Sequence, residues 1–271
     1  MEVDFVGDIP SHRDDVIFAS CDEKYFYDHA PALIASCCYS DNSLHIHIVN
    51  PSDEVWADTV IFKEKAAVIN PNISLTISGE VNNSELLKNN ARTYYACNRF
   101  IMLPTFLQQF KRMLVVDIDC FLMKHIDFDT FENADIGIFL REPLPNMGPQ
   151  TSVAAGAFYA SEDGMPFVQA LSSTLLGNKM DWFVDQVALW QIYQHFRDNK
   201  EINFLDLGAF RDHDKSFMDW EFVKGSTIWT GKGPRKYENT IYVNKKNELT
   251  DNLLKSDIFK PKQYIGERNK K

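Results

Sequence analysis

The sequence predicts an α/β fold, a mostly parallel central sheet flanked by helices. Three observations predict it. Apolar, β-branched runs at residues 15–20 (DVIFAS), 44–49 (LHIHIV) and 113–116 (MLVV) have the length and composition of buried strands. Stretches of helical spacing alternate with such runs, and the connections are short and polar, the pattern of βαβ units. The 271 residues are 45% hydrophobic and 24% charged, ordinary for a globular protein and sufficient for one large domain or two small ones.

In chain order, residues 1–13 read as a loose lead-in. The first strand, 15–20, gives way to a loop at 21–25. Residues 27–38 have helical spacing, with Ala30, Leu33, Ile34 and Cys37 or Cys38 on one stripe. The second strand, 44–49, is closed by Asn50-Pro51. Its His45 and His47 share one side; such a pair can bind metal, but no third ligand stands nearby and a structural role is the better reading. Residues 53–65 read as a helix, 66–69 as a third strand ended by Asn70-Pro71-Asn72, and 73–77 as a further short strand. Residues 84–110 are largely helical, with a break at Pro104. Strands follow at 135–140 (DIGIFL) and 154–159 (AAGAFY), either side of a Pro-, Gly- and Asn-rich loop at 141–152. Small residues at 154–156 suit either a backbone close to a ligand or tight packing. Helices are expected at 163–176 and 182–196. Beyond 202–207 the chain turns aromatic and irregular through Phe210, Phe217, Trp220, Phe222 and Trp229. Residues 1–250 read as a single domain, and 251–271 as a basic C-terminal tail carrying Lys260, Lys262, Arg268, Lys270 and Lys271.

Composition excludes some functions. With 28 basic against 38 acidic residues the formal net charge is −10, which argues against nucleic acid as a partner. The opening MEVDFVGD is acidic and has no long apolar core, so no signal peptide is expected, and no apolar run is long enough to be a transmembrane segment. Five cysteines, Cys21, Cys37, Cys38, Cys97 and Cys120, include no C-x-x-C pair, and an odd number fits reduced thiols in a cytoplasmic compartment. Without a secretory route, the glycosylation sequons at Asn72 and Asn82 carry little meaning.

The chain's chemistry concentrates at residues 113–124, MLVVDIDCFLMK. Two carboxylates at the end of a buried strand are costly without compensation. Alternation in a strand would put Asp117 and Asp119 on one face, where a divalent cation relieves their repulsion. The carboxyl end of a central strand is also where open α/β sheets bind ligands. The plainer alternative is an Asp that caps a turn or pairs with Lys or Arg.

Taken in order, these segments resemble a GT-A (Rossmann-like) nucleotide-diphospho-sugar transferase, most of all the retaining family 8 enzymes of the glycogenin and lipopolysaccharide galactosyltransferase kind. The resemblance runs from about residue 16 to 236. FASCDEKY, residues 18–25, is similar to the strand and loop that hold uracil and ribose, which implies Ala19, Asp22 and Tyr25; one extra residue stands in this stretch. Residues 95–100 resemble a Y-x-R segment whose arginine meets the diphosphate, here Arg99, with Cys97 in the tyrosine's place. VVDID at 115–119 resembles the D-x-D motif, which implies Asp117 and Asp119 as metal ligands and Ile118 against the nucleotide. Ala154-Ala155-Gly156 resembles an N-A-G segment lining the donor sugar, with Ala154 for Asn, and implies Ala155 and Gly156. Asp185-Gln186 resembles a D-Q pair beside the reacting carbon. IWTGKGPRK at 228–236 resembles the C-terminal diphosphate segment, which implies Gly231, Lys232 and Lys236.

The family's metal-binding histidine falls on Ile228, so the cation's shell would be completed by diphosphate and water, by His213 or by Asp219. The resemblance implies Mn²⁺ or Mg²⁺, a UDP-sugar donor, hexose transfer with retention, and a glycan, lipid or protein acceptor that the sequence does not name. A divalent ion on both phosphates would stabilise the leaving diphosphate, and Lys232, Arg235 and Lys236 would add charge-assisted hydrogen bonds. Segments 141–152 and 208–224 are the candidate acceptor contacts. A haloacid dehalogenase-type phosphatase also carries D-x-D after an apolar strand, but near its N-terminus and with Thr or Val where Phe121 stands. A sugar nucleotidyltransferase would need a Gly-rich segment after the first strand, which residues 18–22 lack. A non-catalytic sugar-nucleotide or glycan-binding protein is the remaining alternative.

Overall fold

The apolar runs become neighbouring strands of one sheet in the computed structural model, which describes residues 4–8, 15–143, 146–199, 201–212 and 215–255. In chain order the elements are β1 (Asp4–Gly7), β2 (Asp15–Asp22), α1 (Glu23–Ser40), β3 (Leu44–Val49), α2 (Asp53–Ile69), β4 (Leu75–Val81), α3 (Glu85–Ile101), α4 (Leu103–Leu107), β5 (Arg112–Val116), β6 (Cys120–Leu122), β7 (Ile136–Leu140) and β8 (Val153–Ser161). Then come α5 (Met165–Gly177), α6 (Val184–Asn199), β9 (Phe204–Asp206), β10 (Arg211–Asp212), β11 (Lys215–Ser216), β12 (Met218–Asp219), β13 (Ile228–Thr230), α7 (Arg235–Glu238) and α8 (Thr240–Leu254). Short 3₁₀ turns join several of them.

The central sheet runs β1-β4-β3-β2-β5-β8-β7-β9. β4, β3, β2 and β5 are parallel, as is β9 with β7. β8 runs antiparallel to both β5 and β7, and β1 antiparallel to β4. A smaller sheet, β12-β13-β6, stands beside the end of β5. The expected fold class, a GT-A-type α/β fold with a central sheet flanked by helices, is observed; the sheet expected to be mostly parallel is mixed, because β1 and β8 run antiparallel to their neighbours.

Strand alternation divides the core into two layers. Ile17, Ala19, Cys21, Leu114 and Val116 point to one face, with α1, α2 and α8. Val16, Phe18, Met113 and Val115 point to the other, with α3, α4, α5 and α6. β2 connects through α1 to β3 on one side of it, while the chain leaving β5 builds β8 and β7 on the other side. The strand order therefore diverges between β2 and β5, and a crevice opens at their carboxyl ends.

Four local expectations change. The lead-in contains β1, an edge strand bonded to β4. No loop follows the first strand: Asp22 ends β2 and caps α1, its carboxylate accepting from Tyr25 N at 2.9 Å. Residues 66–69 are the last turn of α2, not a strand; Ala66 is buried while Val68 is 86% exposed, so the apolar AAVI run obeys helical rather than alternating burial. The last helix, α8, passes residue 250 and buries Leu249 and Leu253 in the core. Residues 256–271 lie outside the described part, so the basic tail does too.

His29, in α1, is fully buried with neither ring nitrogen bonded. Burial, with Lys246 and Lys236 nearby, pushes its pKa down to about 2. In the unfolded chain an imidazole titrates near 6.5. Between these values the unfolded state binds more protons, so stability falls as pH drops below 6.5. From pH 7 to 5 this residue is expected to cost about 2 kcal/mol, and His29→Phe to remove that part of the slope in urea titrations.

Candidate active site

The strand MLVV ends where its apolar residues end. β5 stops at Val116, and Asp117-Ile118-Asp119 forms a turn closed by Cys120 N donating to Asp117 O at 3.0 Å. The two carboxylates are thus brought together by a turn, not by strand alternation. The chain re-enters as β6, whose Cys120 and Leu122 pair with Thr230 and Ile228 of β13. Asp119 O accepts from Gly231 N at 3.0 Å and from Tyr242 Oη at 2.7 Å, so β13 and α8 hold the second carboxylate in place. A Cβ at Gly231 would lie 2.6 Å from Tyr242 Oη, which is why that position is glycine.

A cavity of about 640 Å³ opens over this turn. Of the residues singled out from sequence, Asp22, Tyr25, Arg99, Asp117, Ile118, Asp119, Lys232 and Lys236 line it together. Arg99 is the centre of its charge network. Its Nη2 lies 3.1 Å from Asp117 Oδ1 and 3.5 Å from Asp185 Oδ2, and donates to Ala155 O at 3.0 Å; Nη1 donates to Ala96 O. On the opposite wall, Lys236 Nζ donates to Asp119 Oδ2 at 2.7 Å and Tyr25 Oη at 3.2 Å. Burial raises the carboxyl pKa of both Asp117 and Asp185 above the usual range, although Arg99 pulls each the other way. Burial also lowers Lys232, but for Lys236 the Asp119 pair outweighs burial and the shift is upward.

Six expected residues stand behind the lining. Ala19 is fully buried one residue before the cavity's first lining residue, Ser20; its methyl faces the α1 layer. Asp185 and Ala155 reach the cavity only through Arg99. Gln186 is buried and accepts from Arg141 Nη2 at 3.2 Å. Gly156 packs against the turn: a Cβ there would sit 3.2 Å from both Asp117 Oδ2 and Met218 Sδ, so tight packing accounts for the glycine. Gly231 serves through its backbone. Conversely, Arg92, Tyr95, Trp182 and Tyr237 line the cavity without having been singled out. Arg92, Tyr95 and Arg99 recur at helical spacing along α3, a signal that was available. Trp182 stacks on the Arg92 guanidinium at 4.6 Å and stays 57% exposed. Of the candidate acceptor aromatics, Phe217 and Phe222 are core residues, while Trp220 lies 5.3 Å from Lys232 Nζ.

A buried polar network anchors α3, and with it Arg99, to the sheet. Glu80 Oε1 accepts from Tyr94 Oη at 2.8 Å and from the amides of Asn82 and Asn98 at 3.2 Å each; its Oε2 lies 3.4 Å from His47 Nε2. Ser20 Oγ donates to Asn98 Oδ1. His45 joins through Thr76 and Ser78, so the H-x-H pair is structural. Glu80→Gln keeps the shape but removes the carboxylate charge that Tyr94, Asn82, Asn98 and His47 gather around, and is expected to cost about 2 kcal/mol in urea denaturation.

Among the described residues no three His, Cys, Asp or Glu side chains converge on a point that could hold a metal. Ile228 is fully buried in the core, and Asp219 is committed to its own loop, accepting from Glu221 N, Val223 N and Ser226 Oγ. His213 lies outside the described residues. The donor set left for a divalent ion is Asp117 and Asp119, two hard carboxylates. That suits an ion which completes its shell with substrate phosphates and water, as Mg²⁺ does.

No protein-family model matches the chain, and no curated protein matches it in sequence. Its fold is similar to solved glycosyltransferases. The glycosyltransferase GlyE of Streptococcus pneumoniae TIGR4 aligns with a TM-score of 0.54 at 14% identity, over 88% of this chain and 63% of GlyE. The apo form of GlyE gives 0.52 at 15%, over 89% and 63%. The bifunctional WbbM in its apo structure gives 0.56 at 14%, over 93% and 51%. The chain thus spans under two thirds of GlyE and about half of WbbM, and at these identities the likeness is one of fold.

Proposed function

We propose that this chain is a glycosyltransferase that moves a hexose from a nucleoside-diphosphate sugar, a UDP-sugar by resemblance, to a hydroxyl of a glycan, lipid or protein. The observation that carries the reading is the convergence of Asp117 and Asp119 with Arg99, Lys232 and Lys236 in one cavity at the switch point of the sheet. Paired carboxylates flanked by three cations suit a diphosphate leaving group better than a neutral ligand. The fold shared with GlyE and WbbM supports the same reading, and the family 8 motifs favour retention of configuration. Five buried free cysteines among the described residues agree with a reducing, cytoplasmic setting.

In this mechanism Lys232 and Lys236 neutralise the charge that develops on the departing diphosphate, in a pocket partly shielded from water. Arg99 orients Asp117 and spans the gap to Asp185, which sits in the first turn of α6 beside the sugar's expected position. Gln186, locked by Arg141, fixes that turn rather than reaching the reacting carbon. Mg²⁺ or Mn²⁺ held by Asp117 and Asp119 would add Lewis-acid stabilisation of the diphosphate. Tyr25, Asp22 and Tyr95 form the wall available to the nucleoside. Calorimetric titration with UDP, GDP, ADP and CDP, with Mg²⁺ present, tests the reading. One of the four is expected to bind with a Kd of about 1–100 μM, and binding by none would overturn it.

A further inference from the structure

Lys236 does more than line the cavity. It is the partner of Asp119: the pair is 2.7 Å apart, and the side chains are 12% and 9% exposed. The same ammonium lies 4.7 Å above the Tyr25 ring. Across the turn, Asp117 is held by Arg99. On the cavity's lining the acidic Asp22, Asp117, Asp119 and Glu238 face the basic Arg92, Arg99, Lys232 and Lys236, four against four, so the lining of the nucleotide-free site is balanced in formal charge, with Asp185 behind it paired to Arg99. Lys246 approaches from α8 and adds positive character on the Asp119 side, with Asp28 opposing it.

That balance has a consequence for metal entry. A divalent ion arriving alone must take Asp119 from Lys236 and leave a half-buried ammonium unpaired beside two new positive charges. A diphosphate arriving alone meets two carboxylates. Arriving together, the diphosphate gives Lys236 a new anionic partner and the ion takes the carboxylate that Lys236 releases. The site permits the exchange. Lys236 itself lines the cavity, and rotation of its flexible side chain would turn the ammonium from Asp119 toward a bound diphosphate.

We propose that Lys236 is a resident counter-ion at Asp119 that excludes divalent metal from the free protein and surrenders the carboxylate when a diphosphate draws the lysine to itself. This rests on the nucleotide-sugar reading of the cavity. It makes metal and nucleotide binding strongly and reciprocally coupled, each tightening the other by the same factor.

The test is Mn²⁺ binding followed by electron paramagnetic resonance, for native protein and Lys236→Met, each with and without UDP. Native protein without nucleotide is expected to take up no Mn²⁺ below about 1 mM, and to bind it at least about tenfold more tightly once UDP is present. Lys236→Met without nucleotide is expected to bind Mn²⁺ at least about tenfold more tightly than native protein, and to gain less from UDP than native protein does. Circular dichroism checks that the variant is folded, and Lys236→Gln makes the same comparison if methionine disturbs folding. Equal Mn²⁺ affinity of native and variant protein without nucleotide would overturn the proposal, as would native protein that binds Mn²⁺ equally well with and without UDP while UDP itself binds. Because the first comparison uses no nucleotide, it decides the role of Lys236 even if no nucleotide binds and the transferase reading fails.

Discussion

Arg99→Met is expected to cost about 3–5 kcal/mol of stability and to abolish turnover, because it leaves two carboxylates facing each other without their shared cation. Arg99 is 5% exposed and reaches Asp117, Asp185 and the Ala155 carbonyl at once. Methionine fills much of the same volume, so lost packing is a minor part of the effect and the unpaired charges dominate. This gives the prediction a signature that a simple cavity would lack. Burial already raises the pKa of both carboxyls, and Arg99 is the largest influence opposing it, ahead of Lys232 and Lys236 at Asp117 and of backbone N–H groups at Asp185. A carboxyl whose folded-state pKa lies above its unfolded value stabilises the fold when protonated and loses that contribution as pH rises. The variant should therefore gain stability, relative to native protein, as pH falls from 7 toward 5. Adding Asp185→Asn to Arg99→Met should restore part of the loss. Urea midpoints at pH 7 and 5 for the three proteins check all of this; a variant with the native pH dependence would show that Arg99 serves packing alone.

The second large effect is on chemistry. Asp119→Asn is expected to lower nucleotide-sugar turnover about 10²–10³-fold, the usual scale for removing one group that stabilises developing charge. Stability should change by only about 1–2 kcal/mol, since the asparagine oxygen can still accept from Lys236, whose ammonium also keeps Tyr25 Oη and the Tyr25 ring. The Asp119 backbone, held by Gly231 and Tyr242, is untouched by the substitution. The separation matters: turnover lost with the unfolding temperature nearly unchanged assigns the carboxylate to the reaction, while parallel losses would assign it to the fold.

Much of the layout was readable from sequence because the signals were local and strong. The 44–49 strand was placed to the residue, since LHIHIV is bounded by turn residues on both sides. The 113–116 run, ended by Asp-Ile-Asp, located the cavity and its carboxylates. Arg99, Lys232 and Lys236 came from the order of the motifs along the chain, and the fold brings them to one place. What escaped was set by tertiary context. AAVI at 66–69 has strand composition, but it continues a helix whose buried side is already fixed by Val55, Thr59 and Phe62. β8 is antiparallel, and nothing in AAGAFY encodes direction. Tyr242 donates to Asp119 across more than 120 residues, a contact no periodicity announces. Asp185-Gln186 was read as a pair, yet the structure gives each a different partner: Arg99 for the first, Arg141 for the second. Arg92 and Trp182 carried a weak signal each and joined only when α3 met the start of α6.

The central claim is that the carboxylate turn and its three cations act on a nucleoside-diphosphate sugar. The most direct measurement is release of free nucleotide from a panel of nucleotide sugars, with Mg²⁺ or Mn²⁺ supplied, by native protein and by Asp119→Asn. The account predicts slow hydrolysis of one donor, a UDP-hexose, by native protein and its loss in the variant. Release that survives Asp119→Asn unchanged, or a panel in which no nucleotide sugar is either hydrolysed or bound, would contradict it.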